Sequence, residues 1–292
     1  MLRFLLLLIP LLAGNLSAAG VSGASAFEFT KHAVDFGPRP AGSEANRALQ
    51  NYIFSQLKMM RGCEISEDAF TATTPNGPVP MKNIICKLAG KGRPGAPMQA
   101  IAITGHFDTK YFPGRKFVGA SDGGSSTGLL LELARVLAAE PRTDDIYLVF
   151  FDGEEAFGDW TETDSVYGSR HIADRWHRDG TLTRLKALIN IDMIGDKNLN
   201  IRQETNSTAS LRQLFWSTAA ELGYQVNFPN ERISTDDDHM PFIKLGAPAI
   251  DIIDFDYPPW HTDADTLDKL SPKSLEIVGT VVLEVVHKLE HQ

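Results

Sequence analysis

The stretch FFDGEEAFGDW, from Phe150 to Trp160, sets two carboxylates, Glu154 and Glu155, side by side just after an apolar run. Adjacent like charges at the edge of a core repel each other unless a cation or a shared proton offsets them. A bound metal supplies such a cation, with one glutamate as its ligand and the neighbour left free as an acid–base group. Other groups of the right type follow other apolar runs: His106 and Asp108 after QAIAIT, Asp192 in KALINID, and His261 in PPWHT beyond APAIDIIDF. Zinc takes imidazole nitrogen and carboxylate oxygen, and a catalytic zinc keeps one position open. Asp122 in VGASDGGSSTG, Glu155 and His261 would supply three ligands and leave the fourth position for substrate.

Taken singly, an acid after a strand is an ordinary turn or helix-cap residue. In STDDDHMPF, Asp236 and Asp238 read equally well as the start of a helix, near the positive end of its dipole, and Asp237 is the better candidate for a partner of the base. Trp160 and Trp260 stand close in sequence to Glu155 and His261; they read either as core residues or as walls of a small pocket.

The elements that must position these groups are legible as a pattern. Ser43 to Arg61 predicts an amphipathic helix with a Ser cap and a Gly stop, and Glu64–Thr73 and Pro80–Leu88 predict antiparallel strands about TPNGP. Beyond GKGRPGAP, short apolar runs alternate with helical stretches at Gly124–Ala139, Val166–Arg178, Thr208–Leu222 and Pro272–Leu289. Runs of that kind are strands buried on both faces, so the expected fold is a three-layer α/β/α sandwich with a central mixed, mostly parallel sheet. Such sheets bind ligands beyond the carboxyl ends of their strands, which is where the acidic groups and imidazoles fall.

Arg3, the apolar run Phe4–Leu12, and small residues at Ser17 and Ala19 or Ala24 and Ala26 predict a secretory leader over residues 1–26, ahead of one catalytic domain over 27–292. The run is too short to anchor the chain, so the expected location is secreted or periplasmic. A formal net charge of −9 argues against nucleic acid or an anionic membrane as partner. Cys63 and Cys86 cannot hold zinc by themselves and are either one disulfide or two buried thiols. Asn206-Ser207-Thr208 fits a glycosylation acceptor.

FFDGEEAFGDW followed by DSVYGSRHIA, together with GHFDTKYF, VGASDGGSSTGLLLELARVL, DDHMPF and PPWHT, closely resembles the glutaminyl-peptide cyclotransferases, which share their fold with zinc-dependent aminopeptidases. That resemblance implies a zinc enzyme that cyclises the N-terminal glutamine of peptides to pyroglutamate and releases ammonia. By motif position it implies Asp122, Glu155 and His261 as ligands of one zinc, and Glu154 as the acid–base residue with Asp192 and Asp237 as its hydrogen-bonded partners. It also implies Trp160 and Trp260 at the substrate pocket, and a monomer is expected. Three departures stand out: the aminopeptidase-like GASDGGSSTG, the lack of a cysteine beside His106, and Asp256 where a phenylalanine is expected before Trp260. Because His106, Asp122, Glu155, Asp192 and His261 are all present, a second zinc and a two-metal aminopeptidase form the rival reading. A non-catalytic peptide-binding relative is the third.

Overall fold

A computed structural model describes residues 20–292. The elements run α1 (Gly23–Asp35), α2 (Glu44–Lys58), β1 (Cys63–Thr74), β2 (Gly77–Leu88), β3 (Ala100–His106), α3 (Gly124–Ala139), β4 (Asp145–Phe151), α4 (Tyr167–Asp179) and β5 (Leu185–Asp192). They continue with β6 (Gln203–Glu204), α5 (Ala209–Glu221), β7 (Arg232–Ile233), α6 (Met240–Lys244), β8 (Ala249–Ile253) and α7 (Pro272–Glu290). Six strands form one sheet in the order β1-β2-β4-β3-β5-β8. The β1–β2 and β2–β4 pairs are antiparallel, and the β4–β3, β3–β5 and β5–β8 pairs are parallel.

Every residue of β3, β4 and β8 is buried, which is why these strands read as unbroken apolar runs. Alternate side chains serve opposite faces. Ile101, Ile103, Leu148, Phe150, Ile189 and Ile191 pack with α1, α2, α3, α5 and α7, whereas Ala102, Val149, Phe151 and Leu188 pack with α4 and α6. Each fully buried Ile, Leu or Phe contributes roughly 1.5–3 kcal/mol relative to exposure, so the layers are held by their number. At Gly128 a Cβ would lie 2.1 Å from Thr30 Oγ1; α1 and α3 touch there, and no side chain fits between them.

The predicted sandwich and its strands are present, and Ser43 does cap α2 through the Asn46 N–H. One helix is added to the expected elements, and one open choice closes. Helix α1 was not foreseen, and the leader boundary at residue 26 falls inside its first turn. Ser22 caps that helix, which packs on α3 and α7, and Ala26 is fully buried. Of the two small-residue pairs, only Ser17–Ala19 leaves α1 whole; residues 1–19 lie outside the described part of the chain. Between the two cysteine readings, the disulfide is the one found: Cys63 and Cys86 join β1 to β2 with Cα atoms 5.4 Å apart. Among the described residues, no helix is long and apolar enough to cross a membrane.

Candidate metal and acid–base site

The parallel strands end together, and their exits carry the chemistry. β3 ends in His106, β5 ends in Asp192, and the turn after β4 carries Glu154 and Glu155. The turn is fixed on both sides. Gly153 takes φ +72°, where a Cβ would strike Met81, so only glycine fits. Asp108 accepts the Glu154 N–H at 3.1 Å and the Glu155 N–H at 3.4 Å. One carboxylate thus sets the direction of both glutamates. Just upstream, Asp152 accepts from Asn46 (2.9 Å) and Gln50 (3.1 Å) of α2 and from the Lys82 N–H of β2 (2.8 Å).

The site residues converge as expected from the strand ends. His261 Nε2 lies 3.0 Å from Glu155 Oε1 and 3.4 Å from Asp122 Oδ2. His106 Nε2 lies 3.1 Å from Asp192 Oδ1 and 3.3 Å from Asp122 Oδ1. Two groups of three potential ligands result, Asp122–Glu155–His261 and His106–Asp122–Asp192, sharing Asp122. Asp122 Oδ2 and Glu155 Oε2 are buried without a hydrogen-bond partner, a costly state for a carboxylate oxygen. Two carboxylate oxygens and one imidazole nitrogen, all within 4.8 Å of one another, fit zinc with one position to spare.

Charge here is concentrated. Burial pushes Glu154 well above the usual carboxylate range; the charge of His106 opposes this, and Glu155, Asp237 and Asp238 reinforce it. Burial and then Asp122 raise Glu155. Burial would raise Asp122 too, but the bonds from His106 and His261 hold it below its ordinary value. Burial alone would lower His261, yet Asp122 and Glu155 push it up to about 9. A cation bound among these groups would displace protons that the cluster otherwise retains.

His261 is held under strain. Its φ of +54° is a left-handed conformation that only a well-supported side chain sustains, at a cost of about 1–3 kcal/mol. Trp260 stacks on its ring at 4.2 Å, Phe112 and Phe117 pack edge-on at 5.7 and 5.8 Å, and Arg115 binds its carbonyl. Beside it opens a cavity of about 400 Å³ lined by Glu154, Glu155, Asp192, Asp237, Trp160 and Trp260, among others. Trp160 and Trp260 stay 38% and 40% exposed, so they are walls rather than core.

Some expectations need revision. Among the described residues, no hydrogen bond links Glu154 to Asp192 or Asp237. Asp192 instead faces His106, and Asp237 accepts from Asn190 Nδ2 at 3.1 Å. Asp238, read as half of a helix start, is fully buried, whereas Asp236 is exposed at the pocket. The phenylalanine missing at position 256 has a counterpart one residue earlier: Phe255 lies 4.8 Å from Trp260 and lines the cavity. Lys110 was not singled out, yet its Nζ lies 3.6 Å from Glu155 Oε2 and donates to the Ala156 carbonyl. Nothing in its local sequence marks it, because the contact joins two separate loops.

Residues 83–286 match the profile of peptidase family M28. A glutaminyl-peptide cyclotransferase-like protein of Mus musculus is 31% identical over 84% of this chain and 70% of its own. The crystal structure of an Acidobacteriales bacterium glutaminyl cyclase superposes with a TM-score of 0.89 at 38% identity, covering 95% of this chain and 98% of that one. A Zn-dependent exopeptidase from Parabacteroides distasonis superposes at 0.80 with 26% identity, covering 92% and 99%.

Proposed function

Since the chain belongs to peptidase family M28, and within it to the glutaminyl-peptide cyclotransferases, we propose that it converts the N-terminal glutamine of peptides to pyroglutamate and releases ammonia. The observation that carries this reading is the division of labour in the glutamate pair. Both line the cavity, but Glu155 joins Asp122 and His261 in the ligand group, while Glu154, on the same fixed turn, stays outside it. Asp122, Glu155 and His261 would hold one zinc, which when bound polarises the γ-amide carbonyl of the substrate. Glu154 takes a proton from the α-amine as that nitrogen attacks the carbonyl carbon (Cδ) of the side-chain amide, then passes it to the departing amide nitrogen, so that ammonia leaves and the five-membered ring closes. Its raised pKa suits a group that must both accept and return a proton near neutral pH. Asp192 and Asp237 at the cavity floor set the field around that transfer, and Trp160 and Trp260 hold amine and amide in near-attack geometry.

A specific observation favours a second reading. His106, Asp122 and Asp192 make a second ligand group, as a two-zinc aminopeptidase requires. A glutamine aryl-amide separates the two: a cyclase liberates ammonia and leaves the aryl amide joined to pyroglutamate, whereas an aminopeptidase frees the aryl amine. Free aryl amine as the first product, with two zinc ions per chain, would replace the first reading by the second. In the same proposal the chain works as an exported monomer whose leader lies upstream of α1; the Cys63–Cys86 bridge supports an oxidising compartment.

A further inference from the structure

Arg39 stands between Pro38 and Pro40 in the segment joining α1 to α2, and its side chain is completely buried. A buried guanidinium ordinarily meets a carboxylate. This one spends its donors on main-chain carbonyls. Nε donates to Phe107 O at 2.8 Å, Nη1 donates to Val118 O, and Nη2 donates to Gly119 O at 2.8 Å and Asp122 O at 3.4 Å. Phe107 lies between His106 and Asp108, and the other three carbonyls lead up to and include Asp122. Two irregular loops, each bearing site residues and neither belonging to the sheet, are therefore joined through one planar group.

The joint is braced. The Arg39 N–H donates to Thr109 Oγ1 at 2.9 Å, and its carbonyl accepts from the Thr109 N–H and from Asn46 Nδ2, both at 3.3 Å. From the opposite side, Asp265 accepts the N–H groups of Ser121 (2.8 Å) and Asp122 (3.2 Å), and is itself held by the Tyr257 hydroxyl at 2.7 Å. The main chain of Asp122 is thus gripped at its N–H by Asp265 and at its carbonyl by Arg39. Gly119 takes φ +50° with no room for a Cβ beside Asp122 O, which lets the loop turn back onto the guanidinium.

We propose that Arg39 is a positioning residue for the metal centre, its guanidinium fixing the 107 and 118–122 loops so that Asp122 is presented to Glu155 and His261 before any ion arrives. The inference rests on the reading that these three residues hold zinc. Only a fork-shaped cation can reach the Phe107 and Asp122 carbonyls together; an ammonium is a point donor. Residues that orient ligands from behind in this way typically change metal affinity by about 10–100-fold when replaced.

The test is zinc affinity, measured by competition with a chromophoric chelator on the full-length protein and read beside thermal unfolding of the metal-free form. Arg39→Lys is expected to weaken zinc about 10–100-fold. Val285→Ala, a core truncation in α7, is expected to lower the unfolding temperature while keeping wild-type zinc affinity. In Arg39→Ala, millimolar guanidinium is expected to restore part of the affinity and methylammonium is not. If Arg39→Ala fails to fold, the Lys variant decides. Wild-type zinc affinity in Arg39→Lys, or an equal loss in the α7 control, would overturn the proposal while leaving the cyclase reading intact. Tight zinc binding that is lost in Arg39→Lys, in a protein that makes no pyroglutamate, would uphold it and sink the cyclase reading instead.

Discussion

Strand β4 carries an acidic doublet at each end. Asp144 and Asp145 lead into it, Glu154 and Glu155 follow it, and all four are buried. At the leading end the protein supplies the counter-charge. Arg93 and Lys186 reach Asp144 at 2.7 and 2.8 Å, and Lys87 and Arg184 reach Asp145 at 3.2 and 3.1 Å. At the trailing end a single lysine, Lys110, comes within 3.6 Å of Glu155, and the other partners are imidazoles, His261 at 3.0 Å from Glu155 and His106 at 3.9 Å from Glu154. The same residue pattern beside the same strand is closed by lysine and arginine at one end, and at the other faces metal-competent imidazoles, which in the proposed reading leaves it free for chemistry.

The largest effect that would break this contrast is on turnover. Glu154→Gln is expected to cut pyroglutamate formation by about 10²–10⁴-fold, the usual share of a positioned acid–base group, while bound zinc measured by metal analysis is unchanged. Wild-type turnover in that variant would remove the trailing doublet from the chemistry.

The leading doublet should respond in stability alone. Burial would raise Asp145, but the Gly90 N–H with Arg184 and Lys87 lowers it below its ordinary value. A carboxylate depressed in the folded state stabilises fully above its unfolded pKa near 4 and loses that contribution as pH falls through the folded value. Asp145→Asn is therefore expected to cost about 1–2 kcal/mol at neutral pH, a figure already reduced for its half-exposed partners. It should also flatten the acid limb of the stability curve below about pH 4 with kcat unmoved. Denaturant titrations across pH check this, and a kcat loss would contradict it.

The smallest effect sharpens the comparison at the open end. The stacked ring of Trp260 contributes about 0.5–1.5 kcal/mol to a bound group, so Trp260→Ala is expected to raise KM by up to about tenfold. An unchanged KM in steady-state assays would take this residue out of the pocket wall.

Much of the molecule was legible because its signals are local. Apolar runs buried on both faces announced β3, β4, β5 and β8, and strand-end placement brought out His106, Asp108, Glu154, Glu155 and Asp192, whereas Asp122 was read from the loop before α3 and His261 from the loop beyond β8. Helix α1 was hidden because its first residues were assigned to a leader that has the same small, apolar composition. Arg39 and Lys110, and the bonds by which Asp108 holds the Glu154–Glu155 turn, escaped because each acts on a loop distant in sequence, and no periodicity encodes such a meeting. The leading doublet teaches the same lesson in reverse: in the sequence Asp144–Asp145 has as strong a claim to a cation as Glu154–Glu155, and only the tertiary neighbours separate them.

Asp152, two residues ahead of Glu154, is tied to α2 through Asn46 and Gln50. In the proposed reading that helix supplies no ligand, yet the aim of Glu154 depends on its staying seated. On that reading, activity on warming is expected to last only as long as α2 remains docked. Inactivation is then expected to begin as a loss of alignment, with every reacting group still chemically sound.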